Sequence, residues 1–149
     1  MKTLIAYFSL SGNTRSAAER MQALTGGDLF EIKTKKNYGS YARAIAIGGK
    51  EIATREMPVV TTRVDDFASY DCILLGFPVW YGTCPRLIRT FVSGYDFTGK
   101  DVYVFCTSGS TGPEKSGKAV KEICSGASVH TAIRISDQDD DAIRAWLEQ

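Results

Sequence analysis

The first residues able to do chemistry form a short polar segment directly after an apolar run. Its hydroxyl, amide and main-chain donors belong to Ser9, Leu10, Ser11, Gly12, Asn13 and Thr14. Neutral donors of this kind can surround one phosphate group without a lysine or Mg²⁺. Ser, Asn and Thr are equally favoured as helix N-caps, so the segment alone leaves a phosphate loop and a simple cap both open.

Two common nucleotide-binding patterns are absent from this segment. A nucleoside-triphosphate loop reads GxxxxGK[ST], and here both the first glycine and the lysine are missing. A dinucleotide turn reads GxGxxG, whereas this turn has the single Gly12. The anion that remains compatible with the segment is a single terminal phosphate.

Two later segments have the composition of ligand-binding loops. The first places two large aromatic residues between prolines and glycines, in Pro78, Val79, Trp80, Tyr81 and Gly82. The second is small and polar, and comprises Thr107, Ser108, Gly109, Ser110 and Gly112. The aromatic pair suits either a surface anchor or a flat wall against a planar ring. The polar segment suits either a plain turn or a set of main-chain donors facing a heterocycle.

The elements that must position these segments alternate regularly along the chain. Apolar runs predict five strands, at 3–8, 28–33, 71–77, 101–106 and 129–135. Helical spacing predicts five helices, at 13–24, 41–54, 85–92, 114–124 and 137–148, the last capped by Ser136 or Asp137. This alternation favours one α/β domain, a doubly wound parallel sheet with helices on both faces. Ligands of such sheets bind beyond the carboxyl ends of the strands, where all three segments lie.

Composition and charge restrict the size of the domain, its partners and its cellular compartment. The chain has 149 residues, 44% of them hydrophobic, which is the size of one domain with a proper core. A net charge of +1 without a basic run gives no reason to expect nucleic acid or an anionic membrane as a partner. Four widely spaced cysteines and the absence of a signal-peptide pattern predict reduced thiols in a cytoplasmic protein. The single histidine, His130, falls in a predicted strand and is expected to be structural.

The three segments, in this order, resemble those of the flavodoxin family, in a short-chain form. Ser9 to Thr14 resembles the family's phosphate loop, Gly76 to Gly82 resembles its first ring-flanking loop, and Thr107 to Gly112 resembles its second. The resemblance implies strand order 2-1-3-4-5 and FMN as the cofactor. It also implies that the hydroxyls of the first loop hold the FMN phosphate. Two departures stand out: the near-neutral charge, and a second ring loop without an aromatic residue, which leaves one face of the ring open.

Two functions follow from the resemblance. The first is an electron carrier that shuttles electrons between redox protein partners, a reductase and an acceptor. The alternative is an FMN-dependent NAD(P)H oxidoreductase acting on quinones or other small acceptors. A phosphorylation receiver domain shares the strand order but needs acidic residues where this chain has Ser9, Ser11 and Phe77, and is therefore excluded.

Overall fold

A central parallel sheet organises the molecule. The computed structural model describes residues 1–149. Its strands are β1 (Thr3–Tyr7), β2 (Asp28–Glu31), β3 (Cys72–Pro78), β4 (Asp101–Thr107), β5 (Ser128–Val129) and β6 (Ile133–Arg134). Its α-helices are α1 (Asn13–Thr25), α2 (Tyr41–Thr54), α3 (Arg86–Ser93), α4 (Glu114–Ile123) and α5 (Asp140–Leu147). Every strand pairing is parallel, and the strand order is β2-β1-β3-β4-β5. The predicted fold class and strand order are confirmed.

The helices cover both faces of the sheet, as the apolar runs require. One layer contains α2, α3 and α4, whose residues Ala44, Ile88 and Val120 share an apolar core with one face of the strands. The other layer contains α1 and α5, with Met21 and Ile143 packed on the opposite face. Because helices cover both faces of the sheet, successive residues of β1, β3 and β4 are buried whichever face they point to. This explains the apolar runs in these strands. None of the helices combines the length and apolarity that crossing a membrane requires.

The last predicted strand, 129–135, is wrong as a single strand. Val129 pairs with Val102 of β4, and Ile133 pairs with Phe105, so the edge contains one more residue than its partner between the two pairs. Thr131 turns its carbonyl out of the ladder and accepts a hydrogen bond from the Trp146 indole at 2.6 Å. An extra residue of this kind breaks the ladder locally, and β5 and β6 result.

The final helix begins later than predicted and has a different cap. Residues Ile135–Asp137 form a 3₁₀ turn that directly follows β6. The N-cap of α5 is Asp139, whose Oδ1 accepts a hydrogen bond from the Ala142 N–H at 2.8 Å. Asp140 and Asp141 lie in the first turn, where carboxylates complement the helix dipole. The displaced helix start leaves Ser136 free to lie beside the loops at the carboxyl end of the sheet.

Candidate functional site

A cleft of about 490 Å³ lies at the carboxyl ends of β1, β3 and β4. Ten of the residues predicted for the site line it: Leu10, Ser11, Asn13, Thr14, Pro78, Val79, Trp80, Thr107, Ser108 and Gly109. The other six predicted residues, Ser9, Gly12, Tyr81, Gly82, Ser110 and Gly112, do not line it. All three predicted loops therefore contribute to one concavity, because the carboxyl ends of parallel strands meet at one edge of the sheet.

The loop between β1 and α1 presents free main-chain donors to this cleft. Gly12 adopts φ +97°, a left-handed conformation that favours glycine, and it is the N-cap of α1 without any side-chain capping bond. The N–H groups of Asn13 and Thr14 donate to no acceptor within the protein. Free N–H groups at the positive end of a helix dipole are the usual setting for a bound anion.

The Ser9 side chain stabilises the conformation of this loop. Its Oγ accepts hydrogen bonds from the N–H groups of Gly12 at 3.1 Å and Arg15 at 3.2 Å. Ser9 therefore has the helix-capping role that the sequence left open. The side chains of Ser11 and Asn13 make no hydrogen bond to the helix. Arg15 does not line the cleft; its Nη2 donates to both carboxylate oxygens of Glu31, at 2.7 and 2.8 Å.

A hydroxyl pair joins the first loop to the third. The Thr14 Oγ1 and Thr107 Oγ1 atoms are 2.8 Å apart, and Thr14 is buried. Because β3 separates β1 from β4, this bond joins α1, the helix that follows β1, to a strand that is not a neighbour of β1. The bond fixes the distance between the start of α1 and the end of β4 at the cleft.

The loop after β3 turns sharply at its aromatic pair. Trp80 and Thr83 exchange two backbone hydrogen bonds, at 2.9 and 3.0 Å, around Tyr81 and Gly82, which have φ values of +53° and +76°. Positive φ at both central residues is the pattern of a type I′ turn. Trp80 lines the cleft but is only 6% exposed, and its ring packs edge-on to Phe8 at 5.5 Å and Tyr38 at 5.1 Å between ring centroids. The Tyr81 ring points away to α2, where its hydroxyl donates to the Ile45 carbonyl at 2.7 Å.

The loop after β4 offers donors along the opposite wall. The main-chain N–H groups of residues 108–112 donate to no acceptor within the protein. Arg134 of β6 stabilises the start of this loop, because it donates to the carbonyls of Ser108 at 2.9 Å and Gly109 at 2.7 Å. Arg134 also donates to Ser108 Oγ at 3.0 Å and pairs with Asp137. Of residues 108–112, Ser108, Gly109 and Thr111 line the cleft, so their free N–H groups are available to a ligand there.

Sequence reasoning missed several residues of this cleft and its support. Tyr41, Ser16, Thr111, Ile135 and Ser136 line the cleft but were not predicted. Ser16 and Thr111 are near neighbours of predicted residues, so extending both motifs would have found them. Tyr41 and Arg134 gave no such signal, because they reach the site from α2 and from the broken edge strand.

The cleft is electrically neutral along its wall. None of its lining side chains is acidic or basic. The nearest thiol below it, Cys106, is fully buried, and burial raises its pKa to about 12. That thiol stays protonated at neutral pH and is not a nucleophile. An anionic group in the cleft would meet neutral donors and the helix dipole, and no carboxylate.

These features fit a flat, polar ring that carries one phosphate. Unpaired N–H groups of Asn13 and Thr14 suit the phosphate, and Trp80 suits the ring. The free donors of Ser108, Gly109 and Thr111 suit the ring's polar edge. The strand order and the position of the cleft together define a flavodoxin-like α/β protein.

Comparison with known proteins identifies the family. A sequence model of the family described as flavodoxin matches residues 2–149, and the chain belongs to that family. A protein of Bacteroides eggerthii is 32% identical, with a TM-score of 0.90 over 99% of this chain and 96% of that one. A flavoprotein of Lactobacillus acidophilus, solved in complex with FMN, is 27% identical, with a TM-score of 0.83 over 98% of each chain. No curated protein sequence matches the chain significantly.

More distant solved structures share the fold. Flavodoxin 2 of Bacillus cereus is 21% identical, with a TM-score of 0.55 over 99% of each chain. At that identity the likeness concerns the fold alone. The relation to flavodoxins thus extends from the family match to the architecture of the whole chain.

Proposed function

We propose that this protein binds FMN in the cleft and acts as an electron carrier in the cytoplasm. The observation that carries the proposal is the set of unpaired donors at the start of α1, in a cleft that Trp80 also lines. The FMN complex of the Lactobacillus acidophilus relative supports the choice of cofactor. FMN, when bound, supplies the redox chemistry, since it can take up and release electrons singly or in pairs.

The protein's own residues bind and orient the cofactor. Ser11, Asn13 and Thr14 hold the phosphate with hydroxyl, amide and main-chain donors, and Ser9 keeps that loop in shape. Trp80 excludes water from one face of the ring. The main-chain donors of Ser108, Gly109 and Thr111 hold the polar edge. Phosphate contacts act alike in every oxidation state, so the first loop governs affinity, and the ring-facing loops govern the reduction potential.

A titration of the FMN-free protein with FMN and with riboflavin tests the cofactor. We expect strong quenching of FMN fluorescence and much weaker binding of riboflavin, which lacks the phosphate. Ser11→Ala removes a hydroxyl that makes no hydrogen bond within the protein. A hydrogen bond to a charged group contributes about 1.5–3 kcal/mol, so FMN affinity should fall by about 10- to 150-fold.

Ser125→Ala is the matched control for this variant. Ser125 is also exposed, but it lies before β5, at the amino end of the sheet. FMN affinity should not change in the control, and riboflavin affinity should not change in either variant. Equal affinity of the native protein for FMN and riboflavin would refute the phosphate site.

An NAD(P)H oxidoreductase is the second candidate function. The feature that favours it is the loop of residues 108–112, which contributes no aromatic side chain to the cleft and leaves a ring face accessible to a small reductant. Anaerobic mixing of the FMN-loaded protein with NADPH separates the two functions. Rapid bleaching of the flavin's visible absorbance indicates the oxidoreductase, whereas bleaching only after addition of a separate reductase indicates the carrier.

A further inference from the structure

Helix α2 buries a carboxylate and leaves apolar residues exposed, although its Ala44 and Ile47 pack on the core as in an ordinary surface helix. Its buried positions are Ala44, Gly48 and Glu51, whereas Tyr41 and Ile45 are 72% and 38% exposed. A helix packed on a sheet normally turns its apolar stripe inward. Glu51 is tolerated inside because the Tyr38 hydroxyl donates to both of its carboxylate oxygens at 3.0 Å and Lys36 pairs with it at 2.7 Å.

The exposed apolar residues form one continuous surface. We call it the α2 face, and it comprises Tyr41, Ala42, Ile45, Ala46, Ala53 and Tyr81. Tyr81 is 59% exposed yet held in place, because its hydroxyl bonds the Ile45 carbonyl. Its ring lies directly over Gly49, where an added Cβ would be 2.6 Å from the Tyr81 hydroxyl oxygen. Tyr41 also lines the cleft, so the α2 face begins at the cleft rim.

Cationic side chains border the α2 face along one side. Arg43 and Lys50 are seven residues apart, hence on one side of the helix, and both are exposed without an ion pair. Residues 32–63 contain seven Lys or Arg and two Glu, which gives this region a net charge of +5. The whole chain carries +1, so the remainder is acidic by four charges. The near-neutral total conceals a strongly basic region next to the cleft.

These charges decide what the α2 face can bind. A second copy in a two-fold arrangement would place the same surface, with its cations, against itself, and like charges would oppose the contact. A protein with an apolar centre and an acidic rim matches both the uncovered aromatic residues and the flanking cations. We propose that the α2 face is the docking surface for an acidic redox protein, an inference that rests on the proposed function as an electron carrier.

Electron transfer to two haem proteins of opposite charge tests the proposal. The probes are an acidic protein of the cytochrome b5 type and the basic cytochrome c, each mixed with the photoreduced, FMN-loaded protein in a stopped-flow instrument. We expect the second-order rate with the acidic probe to fall as salt is added, because opposite charges steer the encounter. The rate with the basic probe should not fall with salt.

Charge reversal locates the contact. The double variant Arg43→Glu, Lys50→Glu should slow transfer to the acidic probe by about tenfold or more at low salt and remove its salt dependence. The control Lys118→Glu, Lys121→Glu makes the same change in net charge at exposed positions of α4. It should leave most of the rate intact. Equal loss in both double variants would refute a docking surface on α2.

Two further measurements keep the proposal separate from the proposed function. FMN titration of each variant shows whether the cofactor still binds, since neither Arg43 nor Lys50 lines the cleft. A native protein that fails to bind FMN refutes the proposed function, whereas FMN-loaded variants that all react alike refute only the docking surface. Sedimentation velocity tests whether a second copy of the chain binds the α2 face instead. A dimer that Ile45→Glu abolishes would assign the α2 face to that second copy and overturn the proposal.

Discussion

Arg134 offers a sharp test of how the cleft is built, because it supports the site without lining it. The Arg134→Ala variant removes a side chain that is 17% exposed and whose guanidinium donates to two carbonyls and one hydroxyl of the loop after β4. Without it, Ser108 and Gly109 lose the contacts that hold their backbone. Binding of the FMN ring would then have to order the backbone of these two residues.

The size of the effect follows from that ordering. Fixing the backbone of one residue costs about 1–2 kcal/mol, so ordering two residues on binding costs about 2–4 kcal/mol. This corresponds to a loss of FMN affinity of about 30- to 700-fold. Because the loop after β4 is assigned to the ring and not to the phosphate, riboflavin should lose affinity by the same factor. Ser11→Ala, by contrast, should weaken FMN alone.

Arg20→Ala is the matched control for Arg134→Ala. Arg20 also joins an ion pair, with Asp140 at 2.8 Å, and a carbonyl bond, to Gln138 at 2.8 Å, but it does not touch the cleft loops. Fluorescence titration measures the affinities, and urea unfolding measures the stability of each FMN-free variant. Native FMN affinity in both variants, or an equal loss in both, would refute the role assigned to Arg134.

Three further outcomes are expected. Gly76→Ala should lower the urea midpoint by the equivalent of about 3 kcal/mol, since its Cβ would lie 2.2 Å from the buried Phe105 ring; an unchanged midpoint would contradict that packing. Burial raises the pKa of Cys72 to about 11 and those of Cys106 and Cys124 to about 12, above the ordinary 9.0. The unfolded chain therefore loses these protons first, so stability is full below pH 9 and falls toward pH 12. Cys124→Ala should reduce that slope by about 1.4 kcal/mol per pH unit, and parallel native and variant curves would disprove the assignment. FMN at one hundred times its Kd should add about 2.7 kcal/mol to the unfolding free energy in calorimetry, and no shift in Tm would argue against binding.

The sequence predicted the convergence of three loops because the signals are local. Helix α2 was predicted with its observed bounds, Tyr41–Thr54, despite the pair Gly48 and Gly49. The structure explains that pair: a Cβ at Gly48 would lie 2.9 Å from the Trp80 ring, and one at Gly49 would meet Tyr81. The glycines that weaken the helix locally are what allow the aromatic loop to pack on it.

Other features depend on contacts between distant parts of the chain. No local pattern distinguishes the inward Trp80 from the outward Tyr81, because their directions follow from a left-handed turn and a bond to the Ile45 carbonyl. Arg134 lies in a run that alternates like a strand, and its loop contacts depend on the extra residue that breaks the edge. Periodicity describes one element at a time and does not report such tertiary contacts.

The broken edge strand also bears on how the protein avoids aggregation. A long, regular strand at the border of a sheet is a template on which another chain can add. On one border, β5 and β6 are two residues each, separated by residues that leave the ladder. On the other, the segment around Val60 covers the continuation of β2, where the Thr61 N–H donates to the Lys33 carbonyl at 2.8 Å. Neither border presents an extended row of free ladder groups, so a second copy finds no sheet edge to extend, even though the aromatic side chains of the α2 face are exposed.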